Sequence, residues 1–376
     1  MATCTRGLED VLSSELMALG HPEAAAGRGM VRFAGDLADV YRANLWLRTA
    51  IRVLRTVAEG AAADRGALYA LAAAVPWEDF VEPGRTIVVE AAGRAVAFPN
   101  TSFAALVVKD AVVDRLRARR GARPDVARVD ADLRIHVHLA GERAELALDS
   151  TGEPLAHRGY RPRGGPAPLS EALAAGVLLI AGYDGSRPFL DPMAGTGTIA
   201  IEAALMATRT APGLSRQFAC ERWPGHRAAL LASAREEAAG RRRPAPAPIA
   251  ATDSDPRAAS AVRRNAREAG VGEFVRVEVR DARQLVVPGP EALIVANPPY
   301  GERMGDPARL AELFRALGDA LKRRAAGATA WLLVGNPALA KAIGLRPSRR
   351  VVLFNGPIEC RLLRFDLYEG TRSGKG

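Results

Sequence analysis

Cysteine is almost missing from this chain. Three occur in 376 residues, Cys4, Cys220 and Cys360, far apart and in no C-x-x-C pair, so neither a disulfide framework nor a zinc site is indicated. Histidine is nearly as scarce, at five. His136 and His138 alternate along one segment, but no acid or cysteine stands at ligand spacing beside them, and no metal is expected. Long apolar runs are missing too: the longest, residues 172–181, falls far short of the roughly 18 residues that a membrane span needs. No basic-then-apolar segment opens the chain, so a cytoplasmic protein with no membrane partner is expected.

What is present is length and positive charge. The length suffices for two or three domains, each with its own core. The formal charge is +10 and the pI near 10.1, which points to a polyanionic partner. Nearly all the basic residues are Arg in a chain rich in Ala and Gly, a pairing that compositional drift also produces. The excess is uneven: residues 1–160 carry a net −1 and residues 161–376 a net +11. Within the first part, Arg115, Arg117, Arg119, Arg120 and Arg123 cluster at the end of a helix beginning near residue 102. Arg115, Arg119 and Arg120 are the candidates for RNA phosphate contact, and a solvated helix end is the competing reading.

The most informative segment is Asn297-Pro298-Pro299-Tyr300-Gly301, directly after the apolar run 292–296. An amide, two prolines and a ring at the end of a strand suit the holding of a planar amine. The exocyclic nitrogen of a nucleobase is a poor nucleophile because its lone pair is delocalised into the ring. If the Asn297 side-chain oxygen and the Pro298 carbonyl each accept one N–H, the lone pair is localised out of the ring plane. Tyr300 would stack on the base and hold it in line with an electrophile.

Upstream, residues 189–204 read as a short strand, a glycine turn and an Ala-rich helix. Gly195, Gly197 and Ala200 fit G-x-G-x-x-A, a dinucleotide turn. A nicotinamide site usually shows an acid about 20 residues later, whereas Gln217 and its neighbours offer none until Glu221, in a stretch without strand pattern. The acid comes at Asp253, in a second strand read over 248–256, whose end carries a carboxylate that suits two ribose hydroxyls. A third strand, 274–279, ends at Arg280-Asp281, where a carboxylate suits an adenine amino group.

The order D-P-M-x-G-T-G-T (191–198), T-D-S-D-P (252–256), R-D-A (280–282) and N-P-P-Y-G-E-R (297–303) resembles the class I S-adenosylmethionine-dependent methyltransferases that modify exocyclic amines, over residues 165–368. The resemblance implies S-adenosyl-L-methionine as cofactor. Its methionine end would lie at Asp191, Pro192, Met193, Ala194, Gly195, Gly197 and Thr198, its ribose at Asp253 beside Ser254, its adenine at Asp281 and Ala282. The target amine would lie at Asn297 and Pro298, with Tyr300 on the base. Close relatives often carry Cys-Gly-Ser-Gly where Ala194-Gly195-Thr196-Gly197 stand here. The front of the chain narrows the resemblance. Residues 1–9, residues 102–114 with Val108-Lys109-Asp110-Ala111, and Leu148-Asp149-Ser150-Thr151-Gly152 with Arg158-Gly159-Tyr160-Arg161 look like the bacterial THUMP-domain enzymes that methylate guanine N2 in 23S ribosomal RNA. Some relatives carry a second methyltransferase domain behind the first, and a chain stopping at Gly376 would correspond to the guanine-N2 half.

The pattern along the chain predicts an α/β protein with an N-terminal ferredoxin-like plus THUMP α+β region followed by a doubly wound, Rossmann-like methyltransferase domain. The boundaries read as 1–60 ferredoxin-like, 61–151 THUMP, 152–168 linker with Arg158, Arg161 and Arg163, and 169–376 methyltransferase. Residues 209–248, with Arg241-Arg242-Arg243, read as an insertion of one helix and a mobile loop that touches RNA. Three rival functions follow from the same residues. One is the same chemistry on tRNA guanine or on an adenine N6 amine, since N-P-P-Y recognises an amine rather than a base; Glu302 and Arg303 are the nearest candidates to tell guanine apart. Another is a nicotinamide-dependent oxidoreductase, which leaves Asn297 and Tyr300 without a role. The third is an RNA-binding assembly factor, against which the intact set Asp191, Asp253, Asp281 and Asn297 argues. Oligomeric state is left open.

Overall fold

Asp36 caps the helix that follows it. Its carboxylate accepts from the backbone N–H groups of Ala38 and Asp39, and Asp39 in turn accepts from the Asp36 N–H, so two N–H groups that a helix start leaves unpaired are satisfied reciprocally. The computed structural model describes residues 1–121, 123–127, 131–162, 169–299 and 307–368. The front half runs β1 (Ala2–Cys4), α1 (Glu9–Ala18), β2 (Ala25–Gly27), β3 (Met30–Arg32), α2 (Leu37–Trp46), β4 (Ala50–Ala61), α3 (Arg65–Ala74), β5 (Thr86–Arg94), α4 (Thr101–Arg120), β6 (Asp125–Val126), β7 (Leu133–Ala140) and β8 (Arg143–Asp149). All eight strands form one sheet, in the order β2-β3-β1-β4-β8-β7-β5-β6.

Strand β4 is the seam of that sheet. Its first residues pair with β1, Ala2 opposite Val53, and its later ones with β8, Leu54 opposite Asp149 through Ala61 opposite Arg143. The boundary read at 60/61 therefore falls at the end of a strand that serves both sides, which a length of 12 residues allows. Along β7, Leu133, Ile135, Val137 and Leu139 are buried and the residues between them half-buried, the period-two pattern of a sheet with one face on the core.

The second half runs α5 (Glu171–Ile180), β9 (Phe189–Asp191), α6 (Thr198–Ala207), α7 (Ala228–Gly240), β10 (Ile249–Asp253), α8 (Pro256–Glu268), β11 (Val275–Val279), β12 (Leu293–Ala296), α9 (Pro307–Arg324), β13 (Thr329–Val334), α10 (Pro337–Ala342), β14 (Arg349–Asn355) and β15 (Ile358–Asp366). Its sheet has the order β11-β10-β9-β12-β13-β15-β14. The first five are parallel; β15 is antiparallel to both neighbours, so β14 and β15 form a hairpin. Successive residues go to opposite faces. Phe189, Leu293, Val295 and Leu333 join one core cluster, while Leu190, Ile294, Ala296 and Leu332 join the other. Continuous apolar runs rather than alternating ones are what a sheet covered on both faces demands. The chain reverses its direction of travel across the sheet between β9 and β12, and a crevice opens there at the carboxyl ends of the strands.

Candidate active site

The glycine turn after β9 is held from four sides. Asp253, at the end of β10, accepts from the Gly195 N–H at 2.8 Å and from the Asp255 N–H at 3.0 Å. The Ala194 N–H reaches the Thr252 carbonyl at 3.0 Å, and the Asn265 side chain on α8 donates to the Thr196 carbonyl at 2.9 Å. Arg161 donates to the Thr198 hydroxyl at 3.2 Å. Gly195 and Gly197 take φ of +53° and +89°, which glycine adopts without Cβ strain. Their reasons differ beyond that. A Cβ on Gly197 would stand 2.8 Å from Val262 Cγ1 on α8, whereas nothing lies within 4 Å of the direction a Gly195 Cβ would take. Open space beside that backbone leaves room for a ligand to come close.

Asp191 sits beneath the turn, 1% exposed, accepting from the Met193 N–H at 3.3 Å. Burial pushes its carboxyl up to about 8; the Met193 hydrogen bond opposes that shift and the Asp253 charge adds to it. At neutral pH Asp191 is thus largely protonated, ready to ionise beside a cation. Asp253 is half-buried and Ser254 exposed. Each Asp253 oxygen accepts one backbone bond and keeps a lone pair for a ribose hydroxyl. Asp281 is engaged by Arg283, with Nε to Oδ1 at 2.9 Å and Nη2 to Oδ2 at 2.6 Å; these bonds hold its carboxyl below the ordinary range. An adenine amino group would share Asp281 with Arg283. Ala282 beside it is buried.

Asn297 follows β12 directly, half-buried, with Pro298 buried behind it. Its Oδ1 is shut off from solvent and has no hydrogen-bond partner among the described residues. A buried acceptor left unpaired is costly by about 1–3 kcal/mol and marks a place built to receive a donor. Tyr300, Glu302 and Arg303 lie outside the described residues. The strand ends bring Asp191, Asp253, Asp281 and Asn297 to one edge of the sheet. A cleft of about 1240 Å³ shares Arg161, Glu171, Thr196 and Asn265 with this region and otherwise runs between the linker, residues 210–217 and α8; the Asn297 acceptor is the better guide to the chemistry.

The family model described as RMKL-like, methyltransferase domain, matches residues 158–364. The chain belongs to the RMKL-like methyltransferases. Ahead of that domain, residues 1–54 match the RlmL ferredoxin-like domain and residues 62–149 the THUMP domain. The ribosomal RNA large subunit methyltransferase K/L of Syntrophotalea carbinolica is 42% identical over 380 residues, 98% of this chain and 53% of that protein. The protein of the same name from Pseudomonas aeruginosa is 41% identical over 375 residues, 96% of this chain and 51% of its own. The chain thus spans about half the length of the curated relatives it matches. Among solved structures, SMU.472 complexed with SAH superposes with a TM-score of 0.88 at 28% identity over 98% of both chains. A Listeria monocytogenes protein described as an N6-adenine-specific DNA methylase gives 0.88 at 30% identity, over 98% of this chain and 95% of its own.

Outside the methyltransferase strand ends, the expected RNA contacts change. Arg115 is tied to Glu78 by two hydrogen bonds, 2.8 and 2.9 Å, and to the Ala73 carbonyl at 2.8 Å. Arg120 donates to the carbonyls of Val81 and Glu78. Both close the C-terminal end of α4 onto the segment after α3, whereas the Arg119 guanidinium, 4.0 Å from Glu78, stays largely exposed. Residues 209–248 are a bridge rather than a loose loop: Tyr41 on α2 hydrogen-bonds His226 at 2.7 Å, and the Gly213 N–H reaches the Leu45 carbonyl at 3.0 Å. Arg241 pairs with Glu237 at 2.5 Å, Arg242 donates to the Gly270 carbonyl at 3.3 Å and Arg243 to the Ala207 carbonyl at 3.1 Å. Sequence reasoning assigned no role to Glu171 and Glu202, which tie the linker to this domain. Arg161 pairs with Glu171 at 2.6 Å, and Arg158 lies 3.4 Å from Glu202, both of the latter buried. A lone acid inside an otherwise apolar helix, as at Glu202, is the signal that would have found them.

Proposed function

We propose that the chain transfers a methyl group from S-adenosyl-L-methionine to the exocyclic N2 amine of a guanine in 23S ribosomal RNA, which would place it in the cytoplasm. The observation that carries the reading is the buried Oδ1 of Asn297, unpaired among the described residues, at the end of β12 on the same sheet edge as the glycine turn. The name shared by the relatives at 41–42% identity supports the RNA class, and the SAH in a structural neighbour supports the cofactor. The cofactor supplies an electrophilic methyl on a sulfonium that is already a good leaving group. Its holders here would be residues 191–198 at the methionine end, Asp253 and Ser254 at the ribose, and Asp281 and Ala282 at the adenine. Asn297 accepts one N–H of the target amine and the Pro298 carbonyl the other, directing the lone pair out of the ring plane. Tyr300 is assigned the base face from the motif. No general base is needed before transfer, because the donated electrons are the amine's own; as the C–N bond forms the C–S pair would leave with the sulfur, and the methylated nitrogen, then positive, would shed one N–H proton to water. A paired guanine would be flipped out or taken from an open loop to reach this edge.

The test uses the full chain with S-adenosyl-L-methionine and unmodified 23S RNA or tRNA, followed by mass spectrometry of the digested nucleosides. N2-methylguanosine from 23S RNA is expected. N2-methylguanosine from tRNA alone would change the RNA, and N6-methyladenosine would change the base, in the direction of the Listeria neighbour. In the same assay Asn297→Ala should slow single-turnover transfer by about a hundredfold, the scale of losing one positioned polar group, with cofactor affinity kept. A near wild-type rate at saturating RNA would make Asn297 structural.

A further inference from the structure

Strand pairing in the front sheet collects charge on one face. His138 stands opposite Glu145 on β8 and His136 opposite Ala147, and β5 adds Glu90 beside His136 and Ala92 beside His138, with Arg94 at the strand end. The acids of this face already have partners. Glu145 accepts from Arg32 and from the Thr56 hydroxyl. Asp149 takes Arg52 and lies 3.6 Å from His136 Nε2, and Glu90 takes Arg134. The remainder is positive. A cleft of about 650 Å³ is lined by Arg6, Arg28, Arg32, Arg94 and His138, with no carboxylate among its described lining residues. The side chains of Arg28 and Arg94 are exposed and make no ion pair or hydrogen bond among the described residues.

Arg6 links this cleft to the catalytic domain. Its guanidinium lies over the Phe354 ring, 4.6 Å from the centroid. Phe354 stands near the end of β14, opposite Glu359, two residues beyond the level at which Val334 closes β13 opposite Arg361. Arg6 therefore sits at the carboxyl edge of the second sheet, the edge that carries Asn297. From β12 to β14 is three strand spacings in the sheet order, about 14 Å at roughly 4.8 Å each. A polyanion lying in the cleft would lead toward the amine-holding strand end within a few nucleotides.

We propose that this cleft, and not the C-terminal end of α4, grips backbone phosphates of the RNA whose base is presented at Asn297. The proposal rests on the RNA methyltransferase reading above. Arginine suits the task because its planar fork pairs with phosphate oxygens two at a time, and neutralised phosphates release counterions, so binding falls with salt in proportion to contacts made.

The experiment compares the full wild-type chain with Arg28→Glu/Arg94→Glu, with Arg28→Glu and Arg94→Glu singly, with Arg119→Glu, and with Arg276→Glu on β11 as a remote control that matches each single reversal in charge. Affinity for unmodified 23S RNA is measured over a range of salt, and S-adenosyl-L-methionine affinity by calorimetry verifies an intact catalytic domain. The double variant should bind RNA at least tenfold more weakly with a salt slope smaller by about two, while Arg119→Glu and Arg276→Glu change little. An unaltered slope in the double variant, or the whole loss in Arg119→Glu, overturns the proposal. So does inorganic phosphate binding that depends on Arg28 and Arg94 without any effect on RNA, which marks a free-anion site. Wild-type chain that binds RNA through these arginines yet transfers no methyl would keep the cleft and remove the catalytic reading. Methyl transfer with an unaltered slope in the variant would do the reverse.

Discussion

Asp191 was legible in the sequence as the acid of a D-P-M turn, but its protonation was not, because burial is a property of the folded surroundings. With 1% exposure its carboxyl is pushed up to about 8, against an ordinary 3.8. A folded-state value above the unfolded one means that the native chain holds a proton the unfolded chain has lost. Stability contributed by this group is therefore complete below about pH 4 and declines as pH rises toward 8. Asp191→Asn keeps the shape and removes the ionisation. Its melting temperature should exceed wild type by about 2–4 °C at pH 8, the effect of roughly 1 kcal/mol, and match it near pH 4. Cofactor binding should behave oppositely: wild-type affinity weakens as pH falls below 8, since an ionised Asp191 is what attracts a cationic ligand, and the variant binds weakly at every pH. Thermal scans and titrations at both pH values check this; equal melting shifts at pH 4 and pH 8 would remove Asp191 titration from the account.

Elements with a strong period were read closely. The helix expected to begin near residue 102 is α4, Thr101–Arg120, and the strand expected over 274–279 is β11, Val275–Val279. Their apolar spacing is a local property of the chain, so it survives without the fold. What failed was the stretch whose partners are distant: residues 209–248 looked loose because nothing nearby in sequence satisfies them, while in the structure α7, with the segments flanking it, packs against α2 and the linker. The linker itself is an element with a task. Arg161 donates to Thr198 at the start of α6, and its pair with Glu171 at the start of α5 holds both helices near the glycine turn. Arg161→Ala should weaken S-adenosyl-L-methionine binding about tenfold, leave RNA affinity unchanged, and be partly restored in Arg161→Lys, which keeps the charge but not the planar fork. A lower melting temperature with unchanged cofactor affinity would reduce Arg161 to a structural brace.

At the scale of the whole molecule, the sequence suggested separable parts, with every cofactor motif behind residue 161. The packing denies that separation. One core cluster runs from Leu8, just ahead of α1, and Leu12 in α1 through Val177 in α5 to Ile201 in α6, and a Cβ on Gly176 would stand 2.5 Å from Leu8. Polar ties cross the same junction. Arg48 donates to the Thr210 carbonyl at 2.8 Å, and Arg158 reaches Glu202 and the carbonyls of Leu155 and Arg48. Glu202 is fully buried, and removing Arg158 leaves a buried carboxylate without its cation, a loss of about 3–5 kcal/mol. A fragment beginning at Arg161 keeps the four motifs yet discards that cation, the α1 face and the partner of Gly176. It should therefore fold poorly, with a melting temperature well below that of the full chain, and bind S-adenosyl-L-methionine only as weakly as its folded fraction permits. The full chain, for the same reason, should unfold in a single calorimetric transition instead of one for the front sheet and one for the methyltransferase. Two well-separated transitions, or a fragment that binds the cofactor with wild-type affinity, would show that the shared core is contact without cooperativity.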